Sequence, residues 1–197
     1  EFFSLTRSDK AIQRSDIALL FLDLTQDIAR MDKELARTIK DRYKPVIIVG
    51  TKTDLMPDFT INRFRDLVDY KLPHLKGSPL TMISNTDKKG FDRVMKEILD
   101  VHAQGSFQVG TGELNASLKK IFEKARIRGR GERPRYYYAT QVGVCPPTML
   151  LFVNKTRLFP KELMRSLQNE VRRQFKIPKV PVRLVLRERK RSPSKKG

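Results

Sequence analysis

Three short apolar runs, at residues 17–22, 46–49 and 80–83, are separated by stretches whose apolar residues recur every three or four positions. Runs of that length fit buried strands, and the intervening period fits amphipathic helices. Helices are expected at 2–14, with Phe2, Leu5, Ala11 and Ile12 on the apolar side, and at 32–43, with Leu35, Ala36 and Ile39. Two more are expected at 59–72, with Phe64, Leu67 and Val68 inward, and at 91–101. Strict alternation of helix and strand leaves few folds open, chiefly an α/β parallel sheet with helices packed on its faces. Such sheets bind ligands beyond the carboxyl ends of their strands, so the loops after Leu22, Val49 and Ile83 are the ones to inspect.

Beyond residue 105 the pattern changes. A basic amphipathic helix is expected at 114–125, followed by breakers Gly129, Gly131 and Pro134. Two strands, 136–142 and 148–153, flank a turn containing Gly143, Pro146 and Pro147. Pro160 opens a helix to Phe175 carrying Leu163, Leu167 and Val171, and Val182, Leu184 and Leu186 alternate with Arg183, Val185 and Arg187 as a last strand. Helix, strand, strand, helix, strand makes a small α+β layer. The expected organisation is therefore an α/β region at 1–105, an α+β domain at 106–190 and a disordered basic tail at 191–197.

Charge divides the chain at the same place. Residues 1–105 hold 18 Lys and Arg against 16 Asp and Glu, a net of +2, whereas residues 106–197 hold 23 against 6, a net of +17. That exceeds what solubility needs and favours a polyanionic partner, expected to be RNA held through phosphates and shape. The cations fall into three runs: Lys119, Lys120, Lys124, Arg126, Arg128 and Arg130; Arg172, Arg173, Lys176 and Lys179; and Arg187, Arg189, Lys190 and Arg191. Tyr136, Tyr137 and Tyr138 are rings that stack on bases when exposed, although alternation in a strand buries at least one and packing between domains is the expected use of the others.

Other classes are disfavoured. One cysteine, Cys145, excludes an internal disulfide, and two isolated histidines, His74 and His102, do not suggest a metal site. The longest apolar run stops at Asp23, well short of the roughly 20 residues a membrane span needs. The basic helices also lack a broad apolar face to spare for a bilayer. A monomer in a reducing cytoplasm, with no membrane partner, is the expectation. The sequence opens on Glu1, directly in an amphipathic pattern, and is expected to be part of something longer.

The loop after the second strand reads Thr51-Lys52-Thr53-Asp54. Guanine offers its N1–H and 2-amino group as adjacent donors, and one carboxylate, here Asp54, can accept both. Lys52 can lay its alkyl stem across the purine plane. Guanine-nucleotide-binding proteins carry Asn-Lys-x-Asp at such a position, so Thr51, a hydroxyl in place of an amide, is a departure. About 30 residues on, the loop Ser84-Asn85-Thr86-Asp87-Lys88-Lys89-Gly90 stands where those proteins have Ser-Ala-x, and Asn85 is a second departure. Asp23, at the end of the first strand, is read as an anchor for the next loop rather than a catalytic carboxylate.

With these residues in view the chain resembles the Der (EngA) family of bacterial ribosome-assembly GTPases along its whole length. The resemblance is carried by Phe3-Ser4-x-x-Arg7 with Lys10-Ala11-Ile12, by Tyr137-Tyr138-Ala139-Thr140-Gln141-Val142-Gly143, by Pro146-Pro147-Thr148, by Leu151-Phe152-Val153-Asn154 and by Arg187-Glu188-Arg189-Lys190. It implies the later half of a P-loop GTPase domain followed by a KH-like domain, and binding of GTP or GDP. It further implies that Thr51, Lys52 and Asp54 read the base while Ser84, Asn85 and Thr86 close over it. The implied partners are the large ribosomal subunit and its rRNA, with Lys119, Lys120, Lys124, Arg126, Arg128, Arg172, Arg173, Arg187 and Arg189 as contacts. No Gly-x-x-x-x-Gly-Lys-Ser/Thr occurs in the 197 residues, so the phosphate cradle and Mg2+ are expected only with an upstream half, and this chain alone is not expected to hydrolyse GTP. Nor does a Gly-x-x-Gly loop occur between residues 106 and 197, the element by which KH domains usually clamp RNA.

Overall fold

A computed structural model of the chain describes residues 2–124 and 132–189, with the backbone alone at residues 2–6 and at Lys124. The expected contacts at Arg126, Arg128, Arg130, Lys190 and Arg191, and the tail at 191–197, lie outside the described residues. The chain divides into two compact units, one comprising Glu1–Ser106 with Lys179–Pro181, the other Phe107–Pro178 with Val182–Gly197.

The first unit runs α1 (Phe2–Arg14), β1 (Ala18–Asp23), α2 (Arg30–Asp41), β2 (Val46–Thr51), α3 (Ile61–Lys71), β3 (Leu80–Met82) and α4 (Phe91–Gly105). The three strands are parallel in the order β1-β2-β3, with Leu20 opposite Ile48 and Ile48 opposite Leu80. Val46, Ile47, Ile48 and Val49 are all buried, as a central strand covered on both faces requires, which is why that run does not alternate. On one face Leu20, Leu22, Val46 and Ile48 pack with Ile12, Ala36, Ile39, Phe64, Val68 and Leu72. Each of these side chains larger than alanine contributes about 1.5–3 kcal/mol through burial. Helix entry is fixed locally: Thr60 Oγ1 accepts the Arg63 N–H at 3.3 Å to start α3, and Asp32 accepts the Ala29 N–H at 2.9 Å to start α2.

The first apolar run departs from the expectation of a buried strand. Leu20 and Leu22 are buried, but Leu19 is 37% and Phe21 51% exposed. The reason lies in the layering: α4 packs against β2 and β3, and β1 has a strand neighbour on one side alone among the described residues. Along α4, Phe91, Met95 and Leu99 are also exposed, one turn apart, while Val94 and Val101 are buried. The segment Lys179–Pro181 belongs to this unit, where Lys179 Nζ lies 2.7 Å from Glu97 and 2.6 Å from Asp100.

The second unit runs α5 (Thr111–Lys124), β4 (Tyr136–Gly143), β5 (Thr148–Val153), α6 (Lys161–Gln174) and β6 (Arg183–Glu188). β4 and β5 are antiparallel, and β6 returns parallel to β5 after the α6 crossover, giving the order β4-β5-β6. Leu114, Leu118, Leu167 and Val171 of the helices are buried together with Ala139, Met149, Leu151, Val153 and Leu184 of the strands. Three side-chain amides pin the backbone. Asn115 accepts the Ala139 N–H at 2.8 Å and donates to the Ala139 carbonyl at 2.8 Å. Gln141 accepts the Val109 N–H at 2.9 Å and donates to the Phe107 carbonyl at 2.7 Å. Asn154 accepts the Arg135 N–H at 2.9 Å and donates to the Arg133 carbonyl at 2.9 Å.

β4 carries a bulge at its start. Tyr136 pairs with Val153, yet Tyr138 pairs with Phe152, so two residues advance against one. Simple alternation places Tyr136 and Tyr138 on the same face; the bulge separates them. Tyr136 turns to the helices, stacking on Phe122 at 4.9 Å with its hydroxyl donating to Asn115, and burial pushes its phenol up to about 12. Tyr138 turns the other way.

Candidate functional site

The carboxyl ends of the three parallel strands meet at one edge of the first unit, and the sequence places a polar loop on each. Asp23 stands opposite Thr51 in the β1–β2 register, and β3 continues into Ser84. The chain turns sharply after β2. Lys52 takes a left-handed conformation, with φ of 61°, and Thr53–Leu55 form one 3-10 turn that places Asp54 beside the β3 loop. The two loops are joined by backbone, with the Thr53 N–H donating to the Ile83 carbonyl at 3.4 Å, and by side chain, with Ser84 Oγ donating to Asp54 Oδ1 at 2.7 Å.

Ser84 is the hub of its own loop. It is 1% exposed, its hydroxyl also accepts the Asp87 N–H at 3.0 Å, and its backbone exchanges two 3.1 Å hydrogen bonds with Lys89. Gly90 closes the loop at φ of 87°, where a Cβ would stand 2.2 Å from the Met82 carbonyl oxygen. No other residue type fits that turn without moving the backbone. Asn85 and Thr86 ride on its outside, exposed. One oxygen of Asp54 is thus held from the side by a buried hydroxyl, while Oδ2 takes no hydrogen bond from any described residue. A carboxylate oriented in this way at a strand end can receive two adjacent N–H donors of a planar ligand.

Lys52 and Thr51 turn toward β1. Lys52 Nζ lies 2.6 Å from Asp23 Oδ2, and Thr51 Oγ1 donates to the Leu22 carbonyl at 3.2 Å. Asp23 also accepts the Thr25 hydroxyl at 2.7 Å and the Thr25 N–H at 3.0 Å. The Lys52 hydrogen bond first, then those from Thr25, hold the Asp23 carboxyl at about 2, well below the usual carboxylate range. Asp23 is therefore a loop anchor. Its pairing with Lys52 was not anticipated from the sequence, although two residues at neighbouring parallel strand ends in register are the place to look for one. The pair ties the Lys52 ammonium to the end of β1.

These groups fit a guanine base: an oriented carboxylate, a lysine stem beside it and backbone of a glycine-closed loop opposite. For the phosphates and Mg2+ the 197 residues offer no Gly-x-x-x-x-Gly-Lys-Ser/Thr, and no group of three His, Cys, Asp or Glu is placed to hold a metal ion among the described residues.

The basic residues of the second unit are placed in different surroundings. Lys119 and Lys120 are exposed on α5. Arg172 is turned inward, its guanidinium donating to the Pro178 carbonyl and its Nε buried without a partner, and burial draws its pKa below the usual value. Arg173 pairs with Glu170 on the helix surface. Arg187 and Arg189, on and just beyond β6, are exposed over the rings of Phe152 and Tyr137 respectively. Phe152 escaped sequence reasoning, yet it lies between buried Leu151 and Val153 in an alternating strand, and that pattern points it outward.

A parallel α/β sheet with polar loops at its strand ends, joined to a basic α+β unit, is the layout expected of the later part of a GTPase domain with an appended KH-like domain. Residues 108–187 match the family described as the KH-domain-like of EngA bacterial GTPase enzymes, C-terminal. Residues 108–187 thus belong to that KH-like family, and the chain as a whole is similar to part of proteins named GTPase Der. It is 33% identical over 188 residues to GTPase Der of Sulfurihydrogenibium sp. (strain YO3AOP1), covering 95% of this chain and 42% of the relative. It is 35% identical over 190 residues to GTPase Der of Persephonella marina, with the same shares, and 29% identical over 192 residues to GTPase Der of Alkaliphilus oremlandii, covering 96% and 44%. The chain thus spans less than half the length of these relatives. No helix among the described residues is long and apolar enough to cross a membrane.

Proposed function

We propose that this chain supplies the base-reading half of a GTP-binding switch acting in large-subunit ribosome assembly, with its basic KH-like unit contacting rRNA. The observation that carries the reading is Asp54, held through one oxygen by buried Ser84 and open at the other, at the carboxyl end of the central strand. In this reading Asp54 accepts the N1–H and 2-amino group of guanine, Lys52 flanks the purine plane, and the loop closed by Gly90 presents backbone N–H toward O6. Phosphate binding and Mg2+ chemistry come from residues outside these 197, and the chain alone neither binds GTP tightly nor hydrolyses it.

The test is a fusion in which the segment preceding the matching region of the Sulfurihydrogenibium relative is joined to Glu1. It is expected to bind GTP and GDP, and Asp54→Asn is expected to lower guanine-nucleotide affinity about 100-fold, the worth of a lost bidentate pair. Affinity for ribosomal RNA should change with the nucleotide in the parent fusion and not in the variant. One structural detail favours a rival reading, an RNA-binding assembly factor indifferent to nucleotide: the Thr51 hydroxyl is spent on the Leu22 carbonyl. Equal RNA affinity with GTP, GDP and no nucleotide in the parent fusion would establish that rival.

A further inference from the structure

The face of the β4-β5-β6 sheet that turns away from α5 and α6 carries a row of side chains in register. Tyr138 of β4 is opposite Phe152 of β5, and Phe152 is opposite Arg187 of β6. The two rings are parallel, with centroids 4.3 Å apart and planes 7° apart, and Arg187 Cζ stands 5.9 Å from the Phe152 centroid. Beside the row, Arg189 Cζ lies 5.6 Å from the Tyr137 ring. Tyr137 and Tyr138 are 44% and 45% exposed, although each would bury favourably if the fold asked only for stability.

The two nearby carboxylates are hydrogen-bonded to other partners. Glu188 is occupied by the Thr156 N–H at 2.8 Å and hydroxyl at 3.0 Å, and Glu132 by Lys155 at 2.7 Å and Arg157 at 3.6 Å. Arg187 and Arg189 therefore meet aromatic faces rather than anions, which leaves their guanidinium edges for an incoming one. Flat rings flanked by arginines match an unstacked base with its phosphate. Duplex RNA hides its base faces everywhere but at its ends. A second copy of the same unit is opposed by charge, since residues 106–197 carry a net of +17.

We propose that this open sheet face is a stacking platform for single-stranded RNA, with a base stacking on the exposed Tyr138 ring, which Phe152 backs, and Arg187 and Arg189 receiving the adjoining phosphates. The inference rests on the reading above that the second unit contacts RNA, and it places that contact on the sheet rather than on the helix-side loop KH domains usually employ.

The experiment uses the whole 197-residue chain, which has no tryptophan, so tyrosine fluorescence is unmasked and the quenching lost in Y138F is the part that reports on the platform. Binding of a 10-nucleotide single-stranded RNA and of a 10-base-pair RNA duplex is followed by anisotropy and by tyrosine quenching across a salt series. The single strand is expected to bind more tightly and to quench. Y138L with F152L, which keeps apolar bulk while removing both rings, should lose about 30-fold in single-strand affinity with its salt slope unchanged, whereas Y138F should keep the parent affinity. R187A and R189A should each lower the salt slope by about one. A double leucine variant that is folded and binds as the parent does, while a Lys119→Ala, Lys120→Ala variant loses affinity, overturns the platform and leaves RNA contact standing. Absence of RNA binding by the parent chain sinks both. A parent that dimerises through this face, shown by a mass that falls in the leucine variant, also overturns the proposal.

Discussion

Each sheet leaves part of one face uncovered, and the two faces are made of different side chains. In the first unit the exposed large apolar residues include Leu19 and Phe21 on β1 and Phe91, Met95 and Leu99 on α4. In the second unit the open face sets Tyr138 and Phe152 beside Arg187. The former is the composition of a protein core cut open, which gains by meeting more apolar surface. The latter offers flat rings and guanidinium edges, which suit a polyanion carrying bases. Exposed apolar area alone does not identify an occupant; the cations standing in it do.

The sharpest way to break the comparison is to remove what sets the second face. Asn115→Ala leaves the Ala139 N–H and carbonyl unpaired and the Tyr136 hydroxyl without its acceptor, and is expected to cost about 4 kcal/mol in chemical denaturation. A loss below about 1 kcal/mol would show that β4 keeps its bulge, and hence its outward Tyr138, without that clamp. In the first unit Gly90→Ala should cost about 3 kcal/mol, because both the positive φ and the 2.2 Å approach to the Met82 carbonyl must be relieved. Amide exchange at the Ser84 and Lys89 N–H groups should accelerate in that variant; unchanged protection there means the loop does not depend on the glycine.

Smaller effects sharpen the contrast. Phe21→Lys with Leu99→Lys is expected to change stability by no more than about 1 kcal/mol while abolishing concentration-dependent association of the chain in sedimentation velocity. Equal association in parent and variant would mean that the apolar patch is not a sticky surface. Last, the Asp23 carboxyl, held at about 2, should titrate near that value by NMR, and Lys52→Met should move it up toward about 4. Because the folded value lies below the unfolded one, the pair contributes above about pH 4 and is lost as pH falls through about 2. A variant whose Asp23 midpoint stays put removes Lys52 as the cause.

Much of this was legible beforehand. Every helix and strand was marked by periodicity, because each element's apolar spacing survives in one dimension. So was the convergence of the loops that carry Asp54 and Ser84, since strand-end loops of a parallel sheet meet on one edge whatever their separation in sequence, whereas the hydrogen bond between the two side chains was not. What escaped depends on neighbours. The run at 17–22 looked fully buried because hydrophobicity states what a strand can tolerate, not whether a helix lies over it. Arg172 looked like a surface cation until its guanidinium proved to serve the Pro178 carbonyl. Lys179 in the same run proved to be engaged by Glu97 and Asp100. The motif residues Gln141 and Asn154, which carried the family resemblance, turn out to be backbone clamps, so their value in the sequence was structural.

The bulge at Tyr137 has a consequence for how this strand can change over time. Point substitutions at Tyr136, Tyr137 or Tyr138 alter one side chain each. Deleting a single residue there would remove this bulge, though not the second shift between Gln141 and Gly143, and turn one side of β4 inside out relative to its neighbours. Length polymorphism should therefore collect in the turn between β4 and β5, while the Tyr-Tyr-Tyr stretch tolerates exchange of letters but not a change in their number.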